Sequence, residues 1–327
     1  MLKNVQKYIL KCKNDVSNGK KISKSEATEL FNLDDEFIQN LVDASNFITR
    51  HFHGSKVDIE ELANIKKNFC SEDCAYCAQS SFFNTKIDDF QLPPPNQIVK
   101  QALNAKNEGA NSFCLVAAWR EPNQADFEKV CKIIDEINKK VQIPVECSLG
   151  FLTAKKAKKL KRLGVKRYNH NLETSRSKFS EICSTHTYQD RVETLKIARK
   201  AGLELCTGGI IGLGESRKQR EELVFEIVEF NPEEVTINIL VPMPGTPLEL
   251  QSPLEITEIL RVFSTLRFLL PNSIIKISGG RELNLEDDGQ KLLLSGANGI
   301  ISAGYLTMNG NPIQKDLEMI EKIHLEA

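Results

Sequence analysis

From about residue 65 onward, short apolar and β-branched runs alternate with amphipathic stretches, and this alternation restricts the fold more than any other feature. The predicted strands are 65–69, 112–118, 144–149, 165–171, 203–209, 235–241, 274–278 and 298–302. Helical patterns lie near 96–108, 123–140, 153–163, 188–201, 216–229, 255–270 and 286–296. Several end in a glycine suited to a left-handed cap, at Gly109, Gly164, Gly202 and Gly296. Strands separated by helices pair in parallel, because a parallel crossover needs a dozen or more residues. Eight such units over about 240 residues fit an α/β fold, a (β/α)8 TIM-type barrel with N-terminal helices packed outside it. A doubly wound open sheet is the structural alternative. Residues 1–50 read as the helical extension, with a capping-box signal at Ser23 and Glu26, and 51–327 as the barrel with its C-terminal segment.

In a barrel, chemistry gathers at the C-terminal ends of the strands. Cys114, Cys147, Asn169, Asn171, Cys206, Asn238 and Lys276 all fall on predicted strands or just past them. Charge narrows the partners. Lys and Arg total 43 against 44 Asp and Glu, a net charge of −1, which provides no broad positive field for nucleic acid. No run approaches the roughly 18 apolar residues of a membrane span. The first residues carry charges and no apolar core of a signal peptide, so a cytoplasmic location is expected. There, nine cysteines stay reduced and read as packing, catalytic thiols or metal ligands.

Their spacing separates these uses. Cys70, Cys74 and Cys77 form C-x3-C-x2-C directly after the first predicted strand. Three thiolates wrap one face of a cubic iron–sulfur cluster and leave one iron open, whereas full cysteine ligation needs four. Structural zinc favours four ligands in paired spacing, and no second pair follows. The triplet resembles the signature of the radical S-adenosylmethionine (SAM) superfamily, including the aromatic Tyr76 before the last cysteine. Cys114, Cys147 and Cys206 lie on three other strands. Each alone reads as a small buried side chain; together, if inward-facing, they could hold a second metal centre.

The words FCLVAAW (113–119), RYNHNLETS (167–175), THTYQDRVET (185–194), LCTGGIIGLGE (205–215), VTINILVPMPGTPL (235–248) and ISGGRE (277–282) resemble the biotin synthase family, over about residues 40–317. The resemblance implies a SAM-binding [4Fe–4S] cluster on Cys70, Cys74 and Cys77. It implies insertion of sulfur into dethiobiotin, with a second iron–sulfur cluster, [2Fe–2S] by resemblance, as sulfur donor. It places Tyr76, Glu173, Arg191, Gly209, Ile210 and Ile211 around SAM, and Asn171, Asn238 and Thr307 around dethiobiotin. It also implies a flavodoxin- or ferredoxin-type electron donor, iron–sulfur assembly proteins and a homodimer.

Three positions depart from the family pattern. Glu146 stands where the third-strand cysteine is expected, with Cys147 one residue on. A one-residue slip turns a strand side chain to the other face unless a bulge restores it. Lys276 stands where an arginine ligand is expected, and Met308 follows Thr307 in place of a second threonine. The expectation is therefore an auxiliary cluster of different ligation, with four irons as one form, on Cys114 and Cys206. Cys147, Cys183 and Lys276 are the candidates to complete it.

Overall fold

The computed structural model describes residues 2–90, 92–305 and 307–327. Three helices come first: α1 (Leu2–Ser17), α2 (Lys24–Phe31) and α3 (Ile38–His53). The strands are β1 (Asp58–Lys66), β2 (Ser112–Ala117), β3 (Val145–Ser148), β4 (Arg167–Asn169), β5 (Glu204–Ile211), β6 (Glu234–Ile239), β7 (Ile274–Ile277) and β8 (Gly299–Ser302). They close into a barrel in sequence order, with every neighbouring pair parallel. Around it run α4 (Pro95–Glu108), α5 (Gln124–Lys140), α6 (Ala154–Arg162), α7 (Arg176–Ile182), α8 (Tyr188–Lys200), α9 (Arg217–Glu229), α10 (Ile256–Leu269), α11 (Arg281–Asn284), α12 (Gln290–Leu293) and α13 (Ile313–Lys322).

The helices begin where side chains can cap them. Ser23 and Glu26 form the expected reciprocal box at α2, worth about 1 kcal/mol. Thr187 with Asp190 and Ser216 with Gln219 do the same for α8 and α9. The N-terminal helices pack a small core of their own, including Ile9, Leu30, Leu41 and Ile48, against Phe268 of α10. Cys12 is part of that packing, and Cys131 of α5 is part of the main core.

Three differences from the sequence reading have local causes. The first strand begins at Asp58, not 65, because Asp58, Glu60 and Glu61 interrupt the apolar run that marks a buried parallel strand. Asn68 and Phe69, expected as strand, take left-handed backbone angles and start the loop instead. The helix expected at 286–296 is reduced to the short α12, which starts after Asp288 and Gly289, both of positive φ. The helices α7, α11 and α13 lie outside the predicted set.

Strand parity fixes the interior. Cys114 is in register with Glu146, and Leu115 with Cys147. Asn169 is in register with Cys206, and Cys206 with Glu234. Alternate residues point to opposite faces, so Cys114, Glu146, Cys206 and Glu234 share the inner face while Cys147 faces the helices. Cys147 is fully buried in the apolar core that also holds Leu115 and Tyr168.

Candidate active site

A cavity of about 370 Å3 opens at the C-terminal end of the barrel. At its rim the loop after β1 carries Cys70, Cys74 and Cys77, all lining the cavity. The loop is tightly wound: Cys70 N–H donates to Gln79 O at 2.8 Å and Cys77 N–H to Cys74 O at 2.9 Å. Asp73 anchors it to the loop after α7, accepting from Ser184 N–H at 2.9 Å and Thr185 N–H at 3.1 Å. Burial raises the Cys70 thiol and pushes Cys77 up to about 12. A metal bound here must therefore displace protons. Three soft donors on one loop, facing a cavity on the remaining side, fit a cluster with one open iron.

Arg191 of α8 sits beside them, buried. Its Nη1 donates to Glu173 Oε1 at 3.0 Å and to Asn171 O at 2.9 Å. Its Nε donates to His186 Nε2 at 3.0 Å, so the other ring nitrogen, Nδ1, carries the hydrogen and faces Glu72 Oε2. Glu72 also accepts from Arg120 at 3.0 Å and Thr185 Oγ1 at 2.8 Å. The run Glu72–His186–Arg191 thus holds the guanidinium in one plane. Glu173 adopts φ 70°, and its carbonyl meets strand β5 where a Cβ on Gly209 would lie 2.7 Å from it. Glycine permits this approach, and Ile210 N–H closes it with a 2.7 Å bond to Glu173 O.

Tyr76, Glu173, Arg191, Ile210, Asn171, Asn238 and Thr307 all line the cavity. Gly209 and Ile211 are not among its lining residues: Ile211 is buried in the main core. Asn238 Oδ1 accepts from Gly279 N–H at 3.0 Å, and its Nδ2 donates to Gly209 O at 3.4 Å. Deeper in the cavity lie Cys114 and Cys206. Asn169 Nδ2 donates to Cys114 Sγ at 3.5 Å, and Thr236 Oγ1 lies 2.9 Å from Cys206 Sγ. Burial, and after it the charge of Glu60, holds the Cys114 thiol up. Cys206 is raised by burial first and then by Glu234.

The other expected ligands of a second centre lie elsewhere. Cys147 is on the outer face. Cys183 sits at the rim, its Sγ 3.8 Å from Cys74 Sγ, 3.2 Å from His186 Nδ1 and 3.1 Å from Asp73 Oδ1. The Cys74 thiol donates to it and, with His186, pushes Cys183 down to about 4. Lys276 lies under the cavity, fully buried, with Nζ 2.6 Å from Glu60, 2.7 Å from Glu234 and 2.9 Å from Asp58. Burial opposes its charge, but Glu234 and Glu60 hold it well above its usual value. An ammonium so held has no lone pair for iron. Arg167 completes this layer, 2.7 Å from Glu146 and 2.6 Å from Glu234.

Sequence reasoning assigned no role to Glu60, Glu72 or His186. Glu72 lies inside the cysteine motif and His186 inside the THTY word; both were visible as residues, but their meeting across 114 positions was not.

Comparison with known proteins agrees with this geometry. The profile of the radical SAM superfamily matches residues 64–227, and that of the biotin and thiamin synthesis associated domain matches 236–326. The biotin synthase of Nitrosopumilus maritimus is 65% identical over 320 residues, 98% of each chain. The chain belongs to the biotin synthase family. The biotin synthase of Cenarchaeum symbiosum is 58% identical over 98% of this chain and 99% of its own. Among solved structures, methylornithine synthase superposes with TM-score 0.84 at 18% identity, covering 96% of each chain. The FeFe-hydrogenase maturase HydG of Carboxydothermus hydrogenoformans gives 0.81 at 18%, over 99% of this chain and 80% of that one. These two share the fold. Family membership brings SAM and a [4Fe–4S] cluster. Among the described residues no helix is long and apolar enough to cross a membrane.

Proposed function

We propose that the chain inserts sulfur into dethiobiotin to form biotin. One observation carries this reading: a single cavity joins a three-thiol loop at its rim to two further thiols, Cys114 and Cys206, at its floor. When bound, the rim cluster with SAM supplies a 5′-deoxyadenosyl radical that abstracts hydrogen, and an iron–sulfur centre at the floor supplies sulfur. The residues between position the partners. Arg191, held by His186 through Nε and by Glu173 and Asn171 through Nη1, offers its remaining Nη2 to the SAM carboxylate as a charge-assisted donor. Tyr76 and Ile210 border the adenine, while Gly209 and Ile211 shape the strand behind it. Asn171 and Asn238 each present a donor and an acceptor, matching the C=O and N–H of the ureido ring, and Thr307 meets the substrate carboxylate. The apolar walls exclude water and hold the carbon between rim and floor.

The floor centre of this reading rests on Cys114 and Cys206; Cys147 on the outer face and Cys183 at the rim are left out of it, and Lys276, just beneath it, is engaged by Glu60, Glu234 and Asp58. This differs from the ligand set implied by the family pattern and supports a centre that is not the [2Fe–2S] form of that pattern, with four irons as the form to test. Family resemblance supports a flavodoxin- or ferredoxin-type donor, iron–sulfur assembly proteins and a homodimer. All nine cysteines are free, which supports a reducing, cytoplasmic setting. The test is anaerobic reconstitution with iron and sulfide, then SAM, dithionite and dethiobiotin. Biotin with 5′-deoxyadenosine is expected. Deoxyadenosine without biotin would point to another radical SAM reaction, and neither product would overturn the reading.

A further inference from the structure

The floor of the cavity has a shortage of donors. Cys114 and Cys206 reach it from β2 and β5, but the inward position on β3 in register with Cys114 carries Glu146. Two thiolates do not complete an iron–sulfur centre. The neighbouring polar groups are engaged except Asn169 Oδ1, a neutral acceptor that is buried without a hydrogen-bond partner among the described residues. The Asn169 amide donates to Cys114 and the Thr236 hydroxyl lies against Cys206, while the Lys276 ammonium is surrounded by three carboxylates.

Glu60 is different. It projects from β1 into the same cavity as both thiols and is 1% exposed. Its Oε2 is pinned by Lys276 Nζ at 2.6 Å. Its Oε1 is buried with no hydrogen-bond partner among the described residues. Leaving a buried acceptor unsatisfied is costly, more so for a charged one, so such a group marks a missing partner. Below it, Glu146 Oε2 and Glu234 Oε1 are also without hydrogen-bond partners among the described residues, and carboxylate oxygens of all three residues lie within 4.8 Å of one another. Four carboxylates of this layer, Asp58, Glu60, Glu146 and Glu234, face two cations, Lys276 and Arg167. The layer therefore offers more carboxylate groups than cations, beside the cavity that both thiols line. An unpartnered oxygen in the cavity that both thiols line is available to a metal, and iron accepts oxygen donors alongside sulfur.

We propose that Glu60 supplies an oxygen ligand, through Oε1, to the iron–sulfur centre held by Cys114 and Cys206. This rests on the reading of a floor centre given above. Lys276 then acts as a positioning residue, fixing one carboxylate oxygen so that the other faces the metal.

The experiment uses the full chain reconstituted with 57Fe and sulfide, read by iron count and Mössbauer spectrum, in wild type, Glu60→Gln, Glu60→Cys and the double variant Cys114→Ala with Cys206→Ala. Circular dichroism of each cluster-free protein checks folding. Wild type is expected to hold iron beyond the rim cluster, with one component of mixed oxygen and sulfur ligation. Glu60→Gln is expected to lose that component. Glu60→Cys is expected to keep the iron and shift the component to all-sulfur parameters, which a purely structural role for Glu60 would not produce. Unchanged floor-centre spectra in both Glu60 variants overturn the proposal while leaving the floor centre intact. Wild-type iron content in the double cysteine variant overturns the floor centre itself, and this proposal with it.

Discussion

Replacing Lys276 with methionine should destabilise the cluster-free chain by about 3–5 kcal/mol, the cost of removing one partner from a buried ion pair. The structure supports the upper part of that range. Lys276 is fully buried and its Nζ lies 2.6–2.9 Å from three carboxylates. Arg167 still compensates Glu234 at 2.6 Å, but Glu60 is left without a cation. Unfolding entropy of about 2.1 cal/mol/K per residue over 327 residues totals about 0.7 kcal/mol/K. The expected loss in melting temperature is therefore about 4–7 °C. Burial first, then Glu234 and Asp58, raises the Glu60 carboxyl, opposed by Lys276. Without Lys276 it protonates more readily, so the deficit of the variant should shrink as pH falls from about 8 to about 5. Thermal unfolding followed by circular dichroism in reducing buffer measures both effects. A melting temperature within about 1 °C of wild type would refute the buried-layer argument, and a deficit that grows on acidification would refute the charge assignment.

Other consequences follow from the rim and the helical extension. His186→Ala should weaken SAM binding about tenfold, roughly 1.4 kcal/mol, because Arg191 Nε loses its acceptor; calorimetry with an unreactive SAM analogue and wild-type affinity would show that the guanidinium is held without it. Cys183→Ala should leave total iron unchanged, since its sulfur lies beside Cys74 and away from the floor; a loss of floor iron would return Cys183 to the ligand set. His53, held down to about 4 by burial and by Arg267, is neutral when folded, and the unfolded chain takes up its proton first. Stability should therefore be full above about pH 6.5 and fall as pH approaches 4, by about 3 kcal/mol before solvent screening of this partly exposed ring and about 2 kcal/mol after it, measured by urea unfolding; in His53→Gln that part of the slope should vanish.

The amino-acid sequence alone determined what is set by local spacing. The βα alternation specified a parallel sheet covered by helices, because each amphipathic helix must cover a strand of the same sheet; its count and length favoured a barrel over a doubly wound sheet, and the structure supplied the closure. The three thiols of Cys70, Cys74 and Cys77 fall within one loop, so their convergence needs no knowledge of the rest of the chain. The capping box at Ser23 is equally local. Tertiary structure decided the rest. Strand parity sent Cys147 outward and Glu146 inward, a difference of one position that pattern alone left open. Glu60 stayed hidden because acidic residues break the apolar signature by which a buried strand is found, and its charge is tolerated only beside Lys276, more than 200 residues away. Cys183 reached the rim through a loop contact with Asp73, and His186 reached Arg191 and Glu72 in the same way. Nine cysteines thus carry one local message, a cluster with an open side, and one that only the closed barrel completes.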